Sequence, residues 1–197
     1  MAQGLIQEGV IVAVLYYELR PNVDISEIVR QVCAALAWLW RNAIKFWGDP
    51  QRISVSGHSA GDHLTATSLA TDWSAFGSDL SGNLVKGGVT VGGVFDLEPN
   101  RLCFFNDILE LNEPKVLSES LLHNLPLGQV SLVVTVGECE SAVFIRQSQD
   151  YADACSDKGK SAVLVVIGGH HHISVMDELG RADGVITSAI LRQIAGG

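Results

Sequence analysis

The chain has 197 residues, 47% of them hydrophobic and 18% charged, with a formal net charge of −9. That length supports one domain with its own core, and the apolar share excludes a disordered tail. The acidic balance, without any Lys/Arg cluster, argues against nucleic acid as a partner, and no apolar run reaches the roughly 18 residues that a membrane span needs.

The first residues, "MAQGLIQEGV", lack the basic start and long apolar stretch of a signal peptide, so a cytoplasmic protein is expected. "GVIVAVLYY" (Gly9 to Tyr17) is a β-branched apolar run and reads as a buried strand stopped by Pro21. Asp24, with Glu27 three residues on, has the form of a capping box. A long helix follows to about Phe46, with Ile28, Val32, Ala35, Leu36 and Leu39 on one stripe. After the turn "WGDPQR", "RISVSG" is a second strand, and a helix runs from Ala60. "KGGVTVGGVF" is a third strand. Residues 96–129 are mixed, with short helical patches. "VSLVVTV" is a fourth strand, and the amphipathic stretch Ser141 to Gly159 is a helix. "SAVLVVIGG" is a fifth strand and "GVITSAILRQIAG" a last helix. Continuously apolar strands alternating with helices define an α/β fold, a mostly parallel sheet covered on both faces, in one domain over 1–197. Cys33, Cys103, Cys139 and Cys155 show no C-x-x-C spacing and read as reduced thiols.

Gly57-His58-Ser59-Ala60-Gly61 matches G-x-S-x-G, a weak pattern that gains weight from its place. It lies where a buried strand meets a helix, the order a nucleophile elbow requires. A sharp strand-to-helix turn strains the serine backbone, and small flanking residues let the neighbouring elements approach. Ser59 then stands near the positive end of the following helix, where the Ala60 N–H supplies half of an oxyanion hole. The competing reading is a glycine-rich βα turn that binds phosphate. It lacks the spacing of a Walker or dinucleotide loop.

A serine needs a base. In such folds the partners follow in the order serine, acid, histidine. His170, His171 and His172 follow the fifth strand, and Glu138 and Glu140 follow the fourth. One histidine serves as general base and the others are solvated; spacing does not choose among them, nor between the two glutamates. A histidine run also suits a metal, but no further Cys/His spacing supports that reading, so no metal or other cofactor is expected.

"SVSGHSAGDHL", "GVFDLEP", "GECESAVFIRQSQDYA" and "HHHISVMDEL" together resemble the arylformamidase-like branch of the α/β-hydrolase superfamily, close to the carboxylesterases. The resemblance runs from about Gly9 to about Ile194. It implies Glu140, directly before Ser-x-x-Phe, as the acid and His172 of "HISV" as the base, giving Ser59, Glu140 and His172. The implied activity is hydrolysis of a small ester or formamide. Two departures stand out. Asp62 replaces the alanine usual in G-H-S-A-G-A-H-L, and the family's upstream His-Gly-Gly-x-Trp is missing. By that resemblance the chain begins partway into the fold, lacking the first strands, so its activity is expected to be impaired. Losing one oxyanion donor costs roughly 3 kcal/mol of transition-state stabilisation. Open apolar sheet edges would invite self-association. The alternative function is a catalytically inactive hydrolase fragment or binding module.

Overall fold

The computed structural model describes residues 2–196. In chain order the elements are α1 (Gln3–Gln7), α2 (Ile25–Asn42), β1 (Ser54–His58), α3 (Ala60–Ala70), α4 (Trp73–Phe76), β2 (Gly87–Val91), α5 (Glu98–Arg101), α6 (Asn106–Leu109), α7 (Glu113–Glu119), β3 (Ser131–Gly137), α8 (Ala142–Asp157), β4 (Ser161–Ile167), α9 (Asp177–Gly180) and α10 (Val185–Ala195). The four strands form one parallel sheet in the order β1-β2-β3-β4. Val55 lies opposite Gly88, Val89 opposite Val133, and Val133 opposite Val163. Parallel pairing needs a crossover, and helices lie in each connection.

Side-chain alternation divides the sheet between two cores. On one face, Leu132 and Val134 of β3 pack with Val32 and Leu36 of α2, Leu64 and Leu69 of α3, and Tyr151 of α8. On the other, Val89 and Val91 of β2 meet Leu5 of α1 and Ile186 and Ile190 of α10. The capping signal at α2 is realised: the Asp24 carboxylate accepts from Glu27 N at 2.9 Å. The Glu27 side chain does not reach back; it pairs with Arg30 instead. The motif "FDLEP" and the Gln-Ser of α8 meet across the core. Gln147 Oε1 accepts from the backbone N–H of both Phe95 and Asp96 at 2.8 Å, and the Phe95 ring stacks on Tyr151 at 4.1 Å.

The strand expected over Gly9 to Tyr17 does not form. Residues 10–18 have no regular secondary structure and belong to no sheet, and a short helix, α1, precedes them. Alternation survives without pairing. Val10 and Val12 pack against the α10 core and Leu15 and Tyr17 against the α2 core, while Val14 and Tyr16 are 90% and 98% exposed. The physical reason is that an apolar β-branched run supplies side chains suited to a strand, but the ladder needs a neighbour. A groove of about 740 Å³ separates this segment from the outer edge of β1, and no described strand fills it. Helices cover the sheet on both faces, as expected; at its edge, β4 leaves Val163 and Val166 half exposed.

Candidate active site

Ser59 sits between β1 and α3 with φ 56° and ψ −115°, a left-handed conformation costly for a residue with a Cβ. Its N–H donates to Val91 O at the end of β2 (2.9 Å), and its carbonyl accepts from Asp62 N (2.9 Å). The turn closes because Gly57 has no side chain: a Cβ there would lie 2.1 Å from the Gly61 carbonyl oxygen. Ala60 opens α3, so its N–H has no intrahelical acceptor and faces the positive end of the helix dipole.

The two glutamates after β3 have different surroundings. Glu138 is exposed; its Oε2 accepts from Gly169 N at 2.9 Å and so joins the loops after β3 and β4. The Glu140 side chain is fully buried. Its Oε1 accepts from Gly137 N at 3.1 Å, and its Oε2 accepts from His172 Nδ1 at 2.7 Å. The three histidines also separate. His170 Nδ1 donates to Ser174 O at 2.9 Å, with its Nε2 3.6 Å from Glu178. The exposed His171 ring accepts from Ile173 N and Ser174 N. Of the three, only His172 meets Glu140. With Nδ1–H engaged by the carboxylate, its Nε2 is left as the basic nitrogen. No hydrogen bond joins that nitrogen to Ser59 Oγ among the described residues. Such contacts are often loose before substrate binds.

Asp62 lies in the interior. It is fully buried and neither carboxylate oxygen has a hydrogen-bond partner. Burial raises its pKa well above the ordinary value, the Glu140 charge raises it further, and the Thr90 hydroxyl lowers it. His63, next in sequence, is a structural anchor. It is buried, and its Nε2 bonds the Glu119 carbonyl at 2.8 Å.

Sequence reasoning missed three neighbours of His172. The His58 Nε2 lies 2.7 Å from the His172 carbonyl oxygen. The Phe144 ring lies 4.6 Å from the His172 ring. Gly92 has φ +70°, and a Cβ there would stand 3.0 Å from His172 Nδ1 and 3.3 Å from Glu140 Oε1. The paired glycines of "VTVGGVF" were the one visible signal, since a glycine pair at a strand end marks close approach. Among the described residues no group of three His, Cys, Asp or Glu side chains is placed to hold a metal ion, and all four cysteines are free. No helix among them is long and apolar enough to cross a membrane.

The profile of the BD-FAE family matches residues 1–98. Kynurenine formamidase of Danio rerio is 28% identical over 199 residues, covering 98% of this chain and 66% of its own length. The isoprenylcysteine alpha-carbonyl methylesterase of Arabidopsis thaliana is 26% identical, covering 87% of this chain and 45% of its own length. Among solved structures, a thioesterase candidate from Silicibacter sp. TM1040 superposes with a TM-score of 0.81 at 27% identity, covering 96% of this chain and 67% of the other. Carboxyl esterase 2 of Tuber melanosporum shares the fold, with a TM-score of 0.75 at 20% identity, covering 98% and 70%. The chain thus spans about two thirds of the length of the formamidase relatives it matches. By sequence and fold it is an arylformamidase/carboxylesterase-like α/β-hydrolase.

Proposed function

We propose that the chain is a serine hydrolase acting on a small formamide or carboxylic ester. The observation that carries this reading is the 2.7 Å bond from His172 Nδ1 to the buried Glu140 carboxylate, in a loop beside the strained turn that carries Ser59. Ser59 Oγ attacks the carbonyl carbon while His172 Nε2 takes its proton. The Ala60 N–H stabilises the oxyanion. His172 then protonates the leaving amine or alcohol as the acyl-enzyme forms, and a water activated by the same nitrogen releases the acid. Glu140 keeps the imidazole in the tautomer that presents Nε2 and stabilises imidazolium. The names of the relatives, a formamidase and a carbonyl methylesterase, support this substrate class.

The unpaired residues 10–18 favour the second reading, a chain that has the three residues but does not turn over. A fluorophosphonate probe followed by peptide mass spectrometry separates the two. Labelling of Ser59 that disappears in Ser59→Ala is expected. An unlabelled Ser59 would sink the hydrolase reading. Turnover of N-formylkynurenine and of a short p-nitrophenyl ester tests the substrate class. Hydrolysis of neither by a chain that labels at Ser59 would support the second reading.

A further inference from the structure

His58, the middle residue of Gly-His-Ser, has no part in the mechanism above, yet it touches the base twice. It ends β1 directly before Ser59. Its Nε2 lies 2.7 Å from the main-chain oxygen of His172, and a carbonyl accepts only, so that nitrogen carries a proton and donates. Its ring also lies against the His172 ring, with centroids 4.5 Å apart and planes tilted by 41°. We propose that His58 is a positioning residue for the base: its Nε2–H holds the main chain of His172, and its uncharged ring leaves room for positive charge to develop on the His172 imidazole.

The balance of charges supports this. His172 becomes imidazolium while Ser59 attacks, and a second cation at 4.5 Å would oppose that. Burial lowers the His58 pKa most. The bond to the His172 carbonyl raises it, the His172 charge lowers it and the Glu140 charge raises it. His172 and Glu140 are thus the charged groups that act on it from the loops packed against β1. At neutral pH His58 is the neutral Nε2–H tautomer. In acid it gains a second proton on Nδ1, and the cation so formed opposes the imidazolium that develops on His172 during the reaction.

This rests on the hydrolase reading, and its test is arranged so that the two fail separately. Fluorophosphonate labelling of Ser59 reports the hydrolase reading alone. For His58, the acid side of the pH profile of kcat/KM on a p-nitrophenyl ester is expected to steepen beyond first order towards second order. His58→Gln keeps an N–H donor at about the same reach and cannot titrate. It is expected to retain most activity with a first-order acid side. His58→Phe keeps a ring without a donor and is expected to lose about three- to tenfold in kcat/KM, the worth of one neutral hydrogen bond. A readout independent of turnover is the nitrogen-15 NMR titration of the ring. In His172→Ala the His58 ring should titrate at higher pH than in the unmodified chain, because the opposing charge is gone. An unshifted His58 titration, or a first-order acid side in the unmodified chain, would overturn the proposal.

Discussion

Asp62 and the three histidines illustrate how much one side chain's neighbours decide. Asp62 occupies the first turn of α3, where a carboxylate would ordinarily favour the helix dipole, but it is fully buried without a hydrogen-bond partner. Its folded pKa is raised by burial and by Glu140 above the ordinary aspartate value of 3.8. A raised folded pKa means that the native state holds the proton longer than the unfolded chain. Stability associated with Asp62 is therefore full below about pH 3.8 and is lost as pH rises through the folded pKa. Asp62→Asn, a neutral isostere, should remove that loss. Urea midpoints measured between pH 5 and pH 9 should fall less steeply with pH in the variant. Parallel curves would show that Asp62 does not titrate differently in the folded state. Among the histidines, His170→Asn can keep the donor to Ser174 O and His171→Asn loses only a surface ring, so both should retain most hydrolysis. His172→Ala should lose on the order of a thousandfold or more. Equal losses at all three positions would refute the assignment of His172 as base.

At the scale of elements, the Ser59 turn depends on its glycine and α2 depends on its cap. Gly57→Ala would place a methyl group 2.1 Å from the Gly61 carbonyl oxygen, which is backbone and cannot rotate aside. The end of β1 and the start of α3 must separate. The expected result is a loss of about 1–3 kcal/mol of stability, as in overpacking, together with loss of fluorophosphonate labelling at Ser59. Circular dichroism melting and the labelling assay check the two effects; a stable variant that labels normally would mean that the turn tolerates more width. Asp24→Ala removes the acceptor for Glu27 N and should cost about 1 kcal/mol, far from Ser59, so labelling should persist.

The whole molecule has two uncovered sides. The outer edge of β1 faces a groove of about 740 Å³, and beyond it residues 10–18 expose Val14 and Tyr16. At the other edge, β4 exposes Val163 and Val166. Unpaired strand edges flanked by apolar side chains template association. The expected behaviour is concentration-dependent self-association in sedimentation velocity, reduced in the double variant Val14→Lys and Tyr16→Lys, since edge lysines oppose edge-to-edge pairing. A monomer at all concentrations would show that the groove closes on itself in solution.

Local chemistry was legible in the residues. Apolar runs and turn residues marked β1 to β4 and the helices between them, because each of those strands has a neighbour to pair with. Gly-x-Ser-x-Gly at a strand-to-helix junction marked the strained turn, because only small flanking residues allow it. What needed the tertiary structure was every question of which groups meet. Spacing offered Glu138 and Glu140 equally. They part because Glu138 is drawn to Gly169 N across the loops after β3 and β4, while Glu140 turns inward to His172. Asp62 could have faced the oxyanion or the core, and the helix register turned it inward. His58 was invisible as a partner of His172 because 114 residues separate them in the chain. Residues 10–18 read as a strand and are not one, because hydrophobic patterning is a property of a segment and sheet pairing is a property of its neighbours.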